Sequence, residues 1–67
     1  MDDKLGNALR NERSRLGLTQ AELAERIGVS RKTINTIENG VFVPSTVLAL
    51  KLSRAIERPV DDLFWLE

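Results

Sequence analysis

The chain contains no Cys, no His and no Tyr. Without Cys, disulfides and thiolate metal sites are excluded. Without His and Tyr, a His-based catalytic triad, a His-ligated metal and a tyrosyl acid are excluded as well. Ten Lys and Arg balance ten Asp and Glu, so no whole-chain charge announces a partner. Apolar runs are only a few residues long, far short of the ~18–20 needed to span a bilayer. The acidic opening Met1-Asp2-Asp3 is unlike a basic secretory n-region, so no export signal is expected. With 67 residues and 7.5 kDa there is room for one small domain over residues 1–67. These absences predict a cytoplasmic binding domain with no catalytic residues, no cofactor and no metal.

Small size sets an energetic condition. Ordering each residue costs roughly 1.5 kcal/mol, and so small a core barely exceeds the sum. With no disulfide or metal to help, compact helix packing must supply the stability, aided by a second copy of the chain.

What is present is helical patterning, with Gly and Pro at its breaks. A first helix is expected from about Asp3 to Leu16, ending at Gly17. Leu5, Leu9 and Leu16 fit its inner face, but Glu12 and Arg13 interrupt the stripe. Thr19-Gln20-Ala21-Glu22 is a capping box, opening a short helix with Leu23, Ala24 and Ile27 inside and Gly28 at its end. Ser30 caps a third helix that runs to Glu38 and stops at Asn39-Gly40. Its inner face carries Ile34, Ile37 and Glu38. Its outer face carries Arg31, Lys32, Asn35, Thr36 and Asn39, every one able to hydrogen-bond. Ser45 caps a fourth helix to about Ile56, with Leu48, Leu52, Ala55 and Ile56 inside. A last turn, Val60 to Phe64, follows Pro59. The expected fold class is all-α with five helices.

The second and third helices meet at Gly28-Val29-Ser30, too tight for a parallel return and suited to a crossing of ~90–120°. Ala24 is small where the helices approach, and Gly28 tolerates the positive φ of the turn. Leu23, Ile27, Val29, Ile34 and Ile37 all point into a shared core. This is a helix-turn-helix over about residues 19–40.

The residues Thr19-Gln20-Ala21-Glu22-Leu23-Ala24, Gly28-Val29-Ser30, Ile34 and Ile37-Glu38-Asn39-Gly40 closely resemble the phage repressor/Cro (XRE) family of transcription regulators. The resemblance continues in Arg13, Pro44-Ser45, Leu48-Ala49-Leu50-Lys51-Leu52 and Asp61-Asp62-Leu63-Phe64, and so covers almost the whole chain. It implies a lambda-repressor-like domain that binds a double-stranded DNA operator as a homodimer, most simply as a repressor. The recognition helix, about residues 30–39, would enter the major groove, as is general for this motif. Arg31, Lys32 and Thr36 match base-reading positions, with Asn35 close enough to assist. Gln20, Ser30 and Asn39 match backbone-binding positions. Arg13 and Glu38 match an internal salt bridge. The chemistry agrees independently: Arg can bond guanine O6 and N7, and Thr can meet a thymine methyl. Free N–H groups at the two helix starts favour phosphate. Arg10 and Arg15 are candidate neighbours of the basic tip.

Two departures stand out. Position 12, often apolar in relatives, is Glu. The loop after the recognition helix, often basic, reads Val41-Phe42-Val43. With zero net charge, non-specific DNA affinity should be modest. Other readings stand beside these. A polar helix face can be merely solvated, Asn39 can simply end its helix, and Phe42 can be a lid over the core. Asp61-Asp62 reads as favourable charge at a helix start rather than a cation site. Phe64, Trp65 and Leu66 form either a dimer seam or an intramolecular cap. The tail of such short regulators can pair as a strand, although Glu67 leaves it little length. The rival function is a protein-binding module, such as an antitoxin component, with a protein partner on the apolar loop and tail.

Overall fold

The computed structural model describes residues 3–67; the acidic opening at Met1-Asp2 lies outside the described residues. In chain order it forms β1 (Leu5–Asn7), α1 (Leu9–Arg15), α2 (Gln20–Ile27), α3 (Arg31–Glu38), α4 (Thr46–Ile56), α5 (Val60–Leu63) and β2 (Phe64–Leu66). Five helices are present as the sequence indicates, the first of them shorter than expected, with a two-stranded antiparallel sheet added. Leu9, Leu23, Ile34, Ile37, Leu52, Ile56 and Leu63 are fully buried and come from every helix. Leu18, Ala24, Ile27 and Phe64 complete the core, and Leu16, Val29, Leu48 and Ala55 pack against its margin.

Local chemistry fixes the helix ends. At α2 the capping box is complete, with Thr19 Oγ1 accepting from Glu22 N–H at 3.0 Å and Glu22 Oε1 accepting from Thr19 N–H at 2.8 Å. Gly28 closes α2 at φ 74°, the left-handed region where a side chain would add strain, and so turns the chain into α3. Ser30 Oγ accepts from Thr33 N–H at 3.2 Å, and Ser45 Oγ from Leu48 N–H at 3.1 Å.

The first helix begins later than the apolar spacing suggests. Leu5–Asn7 is a strand, paired with the tail in the register Leu5↔Leu66, Gly6↔Trp65 and Asn7↔Phe64. The physical reason lies in Gly6-Asn7. Glycine costs a helix interior ~1 kcal/mol, and Asn7 Oδ1 accepts from Leu9 N–H at 3.2 Å, so its side chain starts α1 instead of extending it. Asn7 Nδ2 also donates to Ile37 O at 3.1 Å, tying the strand to the end of α3.

The strand pair divides the expected Phe64-Trp65-Leu66 seam. Facing residues of antiparallel strands share a side of the sheet, and successive residues alternate. Leu5, Phe64 and Leu66 therefore share one face while Trp65 lies on the other. Phe64, 8% exposed, packs into the core of its own chain. Trp65, 43% exposed, lies over Gly6, and a Cβ at residue 6 would overlap its indole. Leu66 remains 72% exposed. Gly6→Ala is accordingly expected to displace the indole and lower stability by about 1–3 kcal/mol, the usual cost of overpacking. Urea denaturation followed by Trp65 fluorescence checks this; an unchanged midpoint and emission maximum would contradict the close approach.

Candidate nucleic-acid interface

The recognition helix α3 is held from below by one carboxylate. The Glu38 side chain has no solvent exposure. Its Oε2 accepts from Arg13 Nε at 2.7 Å, and its Oε1 from Arg13 Nη2 at 3.2 Å. Gln20 Nε2 donates to the same Oε1 at 3.0 Å, and Arg10 Nε at 3.3 Å. Arg13 Nη1 turns to Leu18 O at 2.7 Å, in the segment before α2. One buried carboxylate thus joins α1, α2 and α3. Burial by itself would raise the Glu38 carboxyl. The hydrogen bonds from Arg13 and Gln20, the Arg13 charge and the Arg10 bond overrule it and hold the group below the ordinary carboxylate range. The same pairing raises Arg13.

Above this brace, α3 presents its polar residues. Arg31 and Lys32 are exposed at the N-terminal tip, and neither is in an ion pair with a described residue. Ser30 lies beside them as the cap, its hydroxyl also 3.0 Å from Thr33 Oγ1. Thr36 is half-buried and donates to Thr33 O at 3.0 Å. Asn39 Nδ2 donates to Asn35 Oδ1 at 3.1 Å, and Asn39 Oδ1 accepts from Arg10 Nη2 at 3.0 Å. Gln20 sits at the first position of α2, its amide nitrogen engaged with Glu38. The geometry therefore carries Arg31, Lys32, Asn35 and Thr36 on α3, with Asn39 at its C-terminal cap. Gln20 and Ser30 stand at the starts of the two motif helices, and Arg13 and Glu38 lie beneath. Phe64, Trp65 and Leu66 are part of β2 and not of this surface.

Three residues take roles that the sequence pattern alone does not assign. Arg10 reaches from α1 to both Glu38 and Asn39. Glu12 pairs with Arg15 at 2.7 Å and with Arg58 at 3.1 Å, while Arg15 Nη2 donates to Ile56 O at 3.1 Å. The unusual charge at position 12 thus fastens α1 to the end of α4 through cations. Asn7 is the third, through its bond to α3. A carboxylate within cationic reach of Arg15 and Arg58 is a signal the sequence carries, but it needs the fold to show that Arg58 returns to α1. Val41, Phe42 and Val43 are exposed, so Phe42 does not close the core as a lid. Asp61 and Asp62 occupy the first turn of α5, where the helix dipole favours them. Among the described residues, no group of His, Cys, Asp and Glu is arranged to hold a metal ion. No described helix is long and apolar enough to cross a membrane.

Comparison with known proteins bears on the same arrangement. The helix-turn-helix family matches residues 9–63. The HTH-type transcriptional regulator YgzD of Bacillus subtilis (strain 168) is 44% identical over 61 residues, covering 91% of this chain and 92% of that protein. The cryptic phage CTXphi transcriptional repressor RstR of Vibrio cholerae is 32% identical over 60 residues, or 90% of this chain and 54% of its own length. Among solved structures, the restriction-modification controller protein C.AhdI from Aeromonas hydrophila superposes with a TM-score of 0.76 at 33% identity, covering 81% of this chain and 78% of that one. The family is one of regulators and not of enzymes. A capped two-helix motif braced by a buried carboxylate, matched in sequence and in fold across most of the chain, places this protein in the helix-turn-helix family of DNA-binding transcriptional regulators.

Proposed function

We propose that the protein is a cytoplasmic repressor, a single domain over residues 1–67 that binds an inverted-repeat operator as a homodimer, with α3 of each copy in the major groove. The observation that carries this reading is a pair of cations, Arg31 and Lys32, outside every ion pair of the described residues. They stand at the exposed start of a helix whose other face is locked by Glu38. Arg31 reaches a guanine edge, Lys32 an acceptor base or phosphate, and Thr36 a thymine methyl or an acceptor. Ser30, Gln20 and Asn39 hold the sugar-phosphate backbone, helped by the N–H groups at the helix starts. RstR, a transcriptional repressor, supports the direction of regulation. Selection from a random duplex library at low salt, sequenced at rising salt, tests the reading. Enrichment of half-sites about 34–36 Å apart is the expected result. Retention without enrichment would mean backbone attraction alone and reject the operator; no retention would reject the reading in favour of a protein-binding module.

The second copy has a surface to occupy. Val47 and Leu50 are one turn apart on α4, 64% and 57% exposed. Leu50 borders a shallow apolar groove with Leu5, Val43, Pro44, Val60 and Phe64. Leu66 extends the sheet face that carries Leu5 and Phe64. The seam then joins Val47 and Leu50 of α4 to Leu66 of the tail, with Phe64 in the groove wall between them. Leu50→Asp is expected to shift the protein to monomer in sedimentation at micromolar concentration and to lose operator affinity with it. A monomeric parent protein that still bound its operator tightly would sink the dimer.

A further inference from the structure

Arg10 is outside the motif, exposed, and 28 residues from Glu38 in sequence, yet its guanidinium ends at the C-terminal edge of the recognition helix. Nε donates to Glu38 Oε1 at 3.3 Å and Nη2 to Asn39 Oδ1 at 3.0 Å. Asn39 Nδ2 in turn donates to Asn35 Oδ1 at 3.1 Å. The direction of this chain follows from chemistry. A guanidinium has only donors. Facing it, Asn39 must offer oxygen, which leaves its nitrogen to face Asn35. Asn35 must then offer oxygen to Asn39, and its own nitrogen is the amide group left over. Arg10 is anchored for this task, because the carboxylate it shares is fixed by Arg13 and Gln20.

We infer that Arg10 is a positioning residue for base reading: through Asn39 it orients the Asn35 amide so that the helix presents an NH2 donor, and not an oxygen, to the groove. The inference rests on the DNA-reading role of α3 proposed above. An unconstrained Asn pairs bidentately with adenine, using oxygen and nitrogen side by side toward N6 and N7. With Oδ1 turned along the helix to Asn39, that pairing is lost. The remaining NH2 suits guanine, through O6 and N7, and thymine, through O4, better than adenine, whose single acceptor N7 stands beside the N6 donor. Cytosine, whose N4 is a donor, is rejected.

Two measurements on the full chain test this. The first is NMR of the Asn35 and Asn39 side-chain amides in the protein free of DNA. Slowed exchange of the Asn39 NH2 is expected in the parent protein and its loss in Arg10→Met; equally fast exchange in both would overturn the relay. The second is duplex selection, with the relevant base pair identified as the one whose preference disappears in Asn35→Ala. The parent protein should take guanine or thymine there by roughly tenfold, the weight of about 1.4 kcal/mol. Arg10→Met should bring that preference close to one while leaving the other positions intact, and Arg10→Lys, still only a donor, should restore it in part. Asn39→Asp should reverse it, since a carboxylate accepts from both sides and turns the Asn35 oxygen outward, toward adenine or cytosine. Loss of affinity spread evenly over all sequences would make Arg10 merely structural and overturn the inference. So would an unchanged preference in Asn39→Asp. Failure of the parent protein to enrich any sequence would reject the DNA reading, and the base-reading role of Arg10 with it. The NMR result would then still report whether the relay exists.

Discussion

Glu38→Ala is expected to cost about 3–5 kcal/mol, the range seen when one partner of a buried ion pair is removed. Arg13, whose side chain is 14% exposed, keeps its charge but loses its counter-ion, and Gln20 and Arg10 lose their shared acceptor. Stabilities of ~0.05–0.15 kcal/mol per residue give a chain this short little reserve, so the variant should be largely unfolded at physiological temperature. The double replacement Arg13→Met with Glu38→Leu discriminates the cause. It removes both charges and should be more stable in urea than either single variant. Singles costing under about 1 kcal/mol would show that the pair is not structurally important. Acid gives the same answer by another route. The folded state holds the Glu38 carboxyl below its ordinary value, so its stabilisation is fully present above the unfolded value of ~4.3 and is lost as pH falls through the folded one. Glu12, lowered by hydrogen bonds from Arg15 and Arg58, and Glu22, lowered by the Thr19 backbone and side chain, act in the same direction. Denaturation midpoints should therefore fall steeply below about pH 4.5 in the parent protein and less steeply in Glu38→Gln.

Much of this arrangement is legible in the amino-acid sequence itself. Caps at Thr19, Ser30 and Ser45, the turn at Gly28 and the apolar faces of the helices are local signals, and local chemistry decides them. The inward positions of Arg13 and Glu38 are also local, since helical periodicity alone puts charges on apolar stripes. The strand pair is different. Leu5, Leu9 and Leu16 satisfy a helical spacing, and only the partner strand at the other end of the chain shows that Leu5 belongs to a sheet. Gly6-Asn7 is the trace of it in the sequence, a poor helix interior beside a side chain that starts helices. The tail departs from its pattern for a related reason. Three apolar residues in a row look like one patch, but a strand turns alternate side chains to opposite faces, so Phe64 enters the core and Trp65 covers Gly6. Arg10, Glu12 and Asn7 carry no pattern of their own. Their partners Glu38 and Asn39, Arg58, and Ile37 O are set by tertiary packing, which no window along the chain contains.

Arg31→Ala with Lys32→Ala should abolish specific operator binding while leaving the fold intact. Both side chains are exposed and outside the ion pairs of the described residues, so neither supports the core. Surface substitutions of that kind usually change stability by no more than ~0.5 kcal/mol. On DNA the balance reverses. A bidentate contact to a base edge is worth about 1–3 kcal/mol of discrimination. Two copies reading two half-sites double whatever each loses, so the operator affinity should drop at least about thirtyfold, toward that for a scrambled duplex. Zero net charge makes the consequence sharper. A strongly basic protein would still cling to the phosphates after losing its base readers, but here the electrostatic background is small. The salt dependence of what binding remains should become shallower by about one for each phosphate contact that Lys32 makes. Fluorescence anisotropy on the selected operator and on a scrambled duplex, across a salt series, measures both effects. Operator binding within about twofold of the parent protein, with the thermal midpoint unchanged, would move the interface away from α3 and leave the exposed Val41-Phe42-Val43 loop and Leu66 as the surfaces to explain.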